Sequence, residues 1–368
     1  MHPRISRLAA VSLTTVALAL STSMTPAQAT DESQPTDAAR PSRHDTVSAI
    51  TDRVARQLTS PMADKVRPGL LSAATTAAVD LSTIDAGPAL ERAIAQANRA
   101  VLAAKGLPGD GTSLLQVRLG HPDMRAALAR GEAPLIAPEP TDDVVKPLTA
   151  YALNGTKITL DGDGIPQHPV FVVEVNVEKA VPLGLKVMRA MLDARGLTSA
   201  MSDVGTQAGY WANKVTAIRL GYDHEPALKG AAEIFGIAGG FGFDGHVRVD
   251  IVTMPYLDYD NVTYYPNQLI VRYGYYKYNF ADFVMYEDDG DTNYQLLATF
   301  LIDALLIITD LGYFIPVANA IIDAMPDSWW TDDPDYTDSW YTLATSTSGR
   351  RYGAANNGWM DIQPHWVA

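Results

Sequence analysis

The last third of the chain alternates short runs of β-branched and aromatic residues with Gly, Pro and Asn. Seven runs can be read within residues 213–368: "VTAIRLGYD", "AEIFGIAGGF", "VRVDIVTMP", "NQLIVRYGYY", "ADFVMYED", "SWYTL" and "GWMDIQPHWV". Runs this short, punctuated this often, favour antiparallel strands over helices. The pattern predicts a β-sandwich of two sheets. Between the fifth and sixth runs, residues 294–324 interrupt it. There "LLATFLIDALLII" is apolar on nearly every side, and Gly312 and Pro316 break it before "VANAIIDAM". Asp303 and Asp310 punctuate a stretch too short to cross a bilayer, so a helical hairpin packed on the sandwich is expected, with no transmembrane segment.

Upstream, the chain begins like an export signal. Arg4 and Arg7 precede an apolar run from Leu8 to Leu20, and Ala27-Gln28-Ala29 is a small-x-small cleavage site. Residues 1–29 therefore read as a signal peptide, with localisation outside the cell. Residues 30–46 are polar and proline-bearing and read as a disordered leader. Residues 47–145 read as a mainly helical region: Leu90, Ile94, Ala97, Val101 and Leu102 fall at helical spacing before Gly106 and Pro108. Residues 146–212 read as a small α/β segment. Its hairpin turns at Asn154-Gly155, a strand follows at "PVFVVEVN", and a helix places Leu183, Val187, Met191 and Leu192 on one face. The fold class expected is α+β.

Antiparallel strands must alternate in direction, and that brings distant acids together. The first, third and fifth strands run into "YDHEPALKG", "YLDYDNVTYYP" and "YEDDGDTNY". These loops share one end of the predicted sandwich, which gathers Asp223, Glu225, Asp258, Asp260, Glu287, Asp288, Asp289 and Asp291 on one rim. "TDDPDYTD", ahead of the sixth strand, could join them. The opposite end, "GFDGH" and "KYNF", holds a single acid. Several carboxylates packed closely cannot all ionise without a large electrostatic penalty, and a hard divalent cation relieves it. Calcium takes six to eight oxygens in flexible geometry. Asp258-x-Asp260 and Asp289-x-Asp291 spacing turns alternate side chains the same way. The alternatives are a solvated acidic rim, the plain reading of a charge run, and another metal; zinc, which prefers Cys and His in structural sites, fits less well.

Charge agrees with this placement. The formal net charge is −14, and removing Arg4 and Arg7 with the signal makes it −16. From Asp223 to Asp338 there are twenty acids against Lys229, Arg248, Arg272 and Lys277. The whole excess lies in that stretch, which argues against nucleic acid and for a cation. There is no cysteine. An exported chain without disulfides needs a substantial core or a bound metal.

Three blocks, "YDHEPALKGAAEIFGIAGG", "MPYLDYDNVTYYPNQLIVRY" and "MYEDDGDTNY", resemble the hallmark blocks of an uncharacterised family of secreted bacterial proteins, known only as a domain of unknown function. The resemblance covers about residues 165–368 and implies no activity. More distantly, the arrangement resembles calcium-dependent membrane-targeting β-sandwiches of the synaptotagmin and protein-kinase-C type. On that likeness Asp223, Glu233 (in Glu233-Ile234-Phe235) and the acids from Glu287 to Asp291 would be calcium ligands. The chain departs from those modules in its glutamates and its helical insertion.

Catalytic signatures are sparse. "GTQAG" at 205–209 lacks the serine of a nucleophile elbow. No His-Glu-x-x-His or phosphate loop occurs, and "GIAGGFG" has no helix after it. Asp161 to Gly164 reads as a solvated turn. His224 between two acids could serve as a base or ligand, although a surface histidine is the plainer reading. Tyrosines 256, 259, 264 and 265 lie near the acids, where rings stack on sugars or simply cover a sheet. The sequence thus leads to a secreted calcium-binding protein, an extracellular binding or adhesion module. Its expected ligand is a carbohydrate, a lipid phosphate or a protein. The alternatives are a calcium-dependent extracellular hydrolase and a structural envelope protein.

Overall fold

The computed structural model describes residues 46–140, 147–161, 164–198, 209–222, 228–230, 233–288, 292–308, 310–313, 316–323 and 336–368. Two helices lead, α1 (Val47–Thr59) and α2 (Arg67–Ala74), then strand β1 (Val79–Asp80) and helix α3 (Pro88–Ala104). Next come β2 (Leu115–Leu119), α4 (Arg125–Ala129), β3 (Leu135–Pro138), β4 (Leu148–Ala152), β5 (Lys157–Leu160), β6 (Val170–Val175) and α5 (Val177–Asp193). The C-terminal part holds β7 (Tyr210–Leu220), β8 (Ile234–Phe241), β9 (Val247–Thr253), β10 (Gln268–Arg272) and β11 (Phe280–Glu287). It closes with α6 (Tyr294–Leu306), α7 (Ala318–Asp323), β12 (Tyr336–Ala344), β13 (Gly349–Tyr352) and β14 (Gly358–Val367). The fold class is α+β.

The local signals form where the sequence puts them. Leu90, Ile94, Ala97, Val101 and Leu102 are the buried face of α3. Gly106 follows at φ 62°, the left-handed conformation that ends helices. Gly155 turns the β4–β5 hairpin at φ 83°. All seven expected C-terminal strands are present, and β13 is an eighth, paired antiparallel with β14.

The organisation upstream differs from the reading of 47–145 as mainly helical and 146–212 as a separate α/β segment. One six-stranded sheet, in the order β1-β2-β6-β3-β4-β5, takes strands from both. β6 pairs antiparallel with β2 and parallel with β3. β1 and β3, of two and four residues, are too short to leave much local trace, so propensity over 47–145 is dominated by its helices.

The C-terminal strands form two four-stranded sheets, β10-β7-β14-β13 and β12-β11-β8-β9. Val215, Ile218, Met360 and Ile362 from the first share an apolar core with Phe283, Met285, Trp340 and Val252 from the second. The second sheet is covered on its other face too. Phe235, Ile237, Val249, Val284 and Tyr286 join the large core that runs back through α6, α5 and the six-stranded sheet. β8 is accordingly buried at every position. The insertion fills the space between: α6 packs on α5, and α7 packs on β11 and β12. Among the described residues no helix is long and apolar enough to cross a membrane.

Two buried acids tie the six-stranded sheet to the C-terminal part. Glu174 on β6 pairs with Arg118 at 2.6 Å and accepts a 2.7 Å bond from Gln116. Arg118 donates onward to the Leu228 carbonyl at 2.8 Å. Glu139 lies one residue beyond the β3–β6 pairing and accepts from the Val175 N–H at 3.2 Å. Burial, then the Glu174 charge, pushes Glu139 up to about 8. Burial raises Glu174 as well, but Arg118 holds it as the ionised partner, so the proton of the pair sits on Glu139. An acid raised in the folded state favours folding below its unfolded value and loses that contribution as pH climbs through the folded one. Stability should therefore fall between about pH 4.5 and 8, by at most about 1.4 kcal/mol per unit from this group. Glu139→Gln keeps the acceptor and removes the charge. Urea midpoints across that window should be flatter for the variant; parallel profiles would refute the assignment.

Candidate functional site

The acidic end is built by strand pairing. Glu287, the last residue of β11, stands opposite Ile234 at the start of β8. The next N–H, of Asp288, donates to the Glu233 carbonyl at 3.0 Å. The Met254 N–H donates to the Ile234 carbonyl at 2.8 Å, which brings the turn after β9 alongside. From the other sheet, β7 ends at Leu220, whose carbonyl accepts from Asn261 at 2.9 Å. The exits of β7, β9 and β11 thus share one end, as strand alternation requires. The Lys277 N–H bonds the Phe241 carbonyl at 2.7 Å, so the 241–247 and 276–280 turns meet at the other.

Five of the expected ligands are described. Glu287 and Asp288 are buried, Glu233 and Asp258 are half-buried, and Asp260 is exposed. Asp223, Glu225, Asp289 and Asp291 lie outside the described residues, as do His224, Asp163 and the stretch 331–335. Among the described residues no three acids or histidines stand close enough together to hold a metal ion. The described carboxylates nevertheless act on one another. Glu233 is pushed up to about 8, first by burial and then by the charges of Asp288, Glu178, Glu287 and Asp258. Burial and the Glu178 charge raise Asp258.

A positive charge from the chain itself lies beside these acids. Lys105, the C-cap of α3, is fully buried, and its Nζ lies 3.8 Å from Asp288 Oδ2. The Tyr294 hydroxyl donates to the same oxygen at 2.7 Å, and the Lys105 ammonium sits 5.2 Å from the Tyr294 ring centroid. The Tyr294 N–H caps the Lys105 carbonyl at 3.1 Å, and the Asn293 amide donates to the Ala104 carbonyl at 2.7 Å. The end of α3 and the start of α6 are therefore stitched together beneath the acids. Gly184 on α5 makes room for this, because a Cβ there would fall 2.2 Å from the Tyr294 ring. Among the described residues, Asp288 Oδ1 is buried with no hydrogen-bond partner, and so is the Thr292 hydroxyl.

Lys105, Glu178, Thr292 and Tyr294 escape sequence reasoning. A lysine ahead of a helix-ending glycine is ordinary C-terminal chemistry, and Glu178 is an ordinary first-turn acid. His246 sits in the 241–247 turn at the opposite end, where its N–H donates to Asp244 at 3.1 Å. His365 pairs with Ala212 near the start of β7. "GIAGGFG" is strand rather than phosphate loop; a Cβ on Gly236 would fall 2.0 Å from the Phe283 ring.

A family model described as "Protein of unknown function (DUF3103)" matches residues 49–368, well beyond the stretch that carries the motifs. No curated protein and no solved structure matches the chain, so the distant likeness to calcium-dependent membrane-targeting modules rests on the quoted motifs alone.

Proposed function

We propose, for a chain that belongs to the DUF3103 family and inherits no activity from it, a secreted calcium-binding protein. In this reading it is an extracellular binding module of sandwich architecture, and calcium orders its acidic end. The observation that carries the reading is Asp288 Oδ1, buried and without a hydrogen-bond partner among the described residues, beside Glu233 and Glu287. A buried carboxylate oxygen left unsatisfied is costly, and a cation satisfies it. The Lys105 ammonium lies beside Oδ2 at 3.8 Å. The described residues do not complete a ligand set. The reading therefore requires the loop acids Asp223, Glu225, Asp289 and Asp291, one to a few positions along the same loops. Export rests on the basic start, the apolar run and the Ala27-x-Ala29 site.

Calcium that binds only the folded state at about 100 times its Kd should raise stability by roughly 2.7 kcal/mol. Extracellular modules often bind at ~10⁻⁴–10⁻³ M, so the titration should reach millimolar calcium. Thermal melts of chelator-treated protein should rise with calcium and less with magnesium. Asp289→Asn and Asp288→Asn should shrink the gain, whereas Asp303→Asn on the exposed side of α6 should leave it. An unmoved melting curve together with no calorimetric heat would remove the basis of the proposal.

A further inference from the structure

Beside the acidic end lies a groove of about 510 Å³ lined by Thr253, Pro255, Tyr256, Tyr264, Tyr265, Pro266 and Gln268. Its size is that of a small-molecule site. Tyr256 and Tyr264 stand with ring centroids 6.0 Å apart and planes tilted by 49°, and Tyr265, 72 % exposed, also lines the groove. Two prolines complete the apolar lining. Two of the polar side chains are engaged: the Tyr256 hydroxyl donates to Gln268 Oε1 at 2.6 Å, and the Gln268 amide donates to the Thr253 carbonyl at 2.7 Å, whereas the Tyr264 hydroxyl is buried with no hydrogen-bond partner among the described residues. The lining thus offers mainly aromatic and proline surface, with only a few hydroxyls among it. Among the described residues no lysine or arginine lines the groove, and Asp258 and Asp260 sit in the same loop as Tyr256.

Angled aromatic faces in a negative field favour a large, weakly hydrated cation, whose charge meets the negative faces of the rings without needing hydrogen bonds. We infer that this groove binds an organic cation of the quaternary-ammonium class, its methylated head held by Tyr256, Tyr264 and Tyr265. The groove exceeds such a head, so the remainder of the ligand lies along Pro255 and Pro266. The inference stands on the groove alone and holds with calcium chelated, so its failure and that of the calcium reading are separable.

Calorimetric titration of the intact protein with choline, in chelator and then in millimolar calcium, tests it. The neutral isostere 3,3-dimethyl-1-butanol has the same shape without the charge and should bind about tenfold more weakly. Tyr265→Ala should abolish choline binding, and Tyr265→Phe should retain it. Tyr265 is largely exposed, so neither change threatens folding. Absence of choline binding, equal binding of the isostere, or full binding by Tyr265→Ala would each overturn the inference. Tighter binding of arginine or of a disaccharide than of choline would overturn it too, in favour of a basic-peptide or sugar groove.

Discussion

Asp338→Ala should destabilise the protein by about 4 kcal/mol, because one carboxylate there satisfies four backbone donors. Asp338 lies on β12 opposite Met285, fully buried. The N–H groups of Ser339 and Ala355 donate to its Oδ1 at 2.8 Å each, and those of Asn357 and Gly358 to Oδ2 at 3.0 and 2.8 Å. Gly353 faces the carboxylate so closely that a Cβ would lie 2.0 Å from it. The side chain thus fixes the turn between β13 and β14. That turn in turn fixes the exit of β7, since Asn357 accepts from the Tyr222 N–H at 2.9 Å and donates to its carbonyl at 2.8 Å. Alanine leaves the donors unpaired in a buried site. Asparagine should rescue little, because its amide would point N–H groups at N–H groups. The urea midpoint should drop for both variants with the denaturant slope unchanged. A midpoint for Asn equal to that of the parent would show that the charge is not required.

The second large effect is expected at Lys105. Lys105→Met preserves an unbranched chain against the Tyr294 ring but strips Asp288 of its ammonium. Removing one partner of a buried ion pair typically costs about 3–5 kcal/mol, most of it from the charge left behind. The loss should be largest in chelator and partly recovered by millimolar calcium if the ion takes over the orphaned carboxylate. A double-mutant cycle with Asp288→Asn separates this from lost packing, because the double variant should be more stable than Lys105→Met alone. A double variant that is merely the sum of its parts would mean that the 3.8 Å pair contributes little.

These two residues mark the limit of what could be read in advance. The sequence by itself determined seven of the C-terminal strands, the face of α3, the Asn154-Gly155 hairpin and the breaks in the inserted apolar stretch. Each depends on periodicity or on the backbone preferences of Gly, Asn and Pro within a few positions. It also determined that the exits of β7, β9 and β11 share one end, because direction alternates in any antiparallel arrangement.

Only the tertiary structure decided which groups meet there. Asp288 and Lys105 lie 183 positions apart, and no local pattern marks either for the other. Asp338 reads as one more acid in an acidic stretch, yet it serves as a buried acceptor for backbone N–H groups. The short strands β1, β2 and β3 exist because β6 and its neighbours give their backbone groups partners, not because their residues prefer to be extended. Charge and pattern are properties of a segment. Burial and pairing belong to the packed whole, and they decide which acids in a chain this acidic are merely solvated and which are held beside another charge.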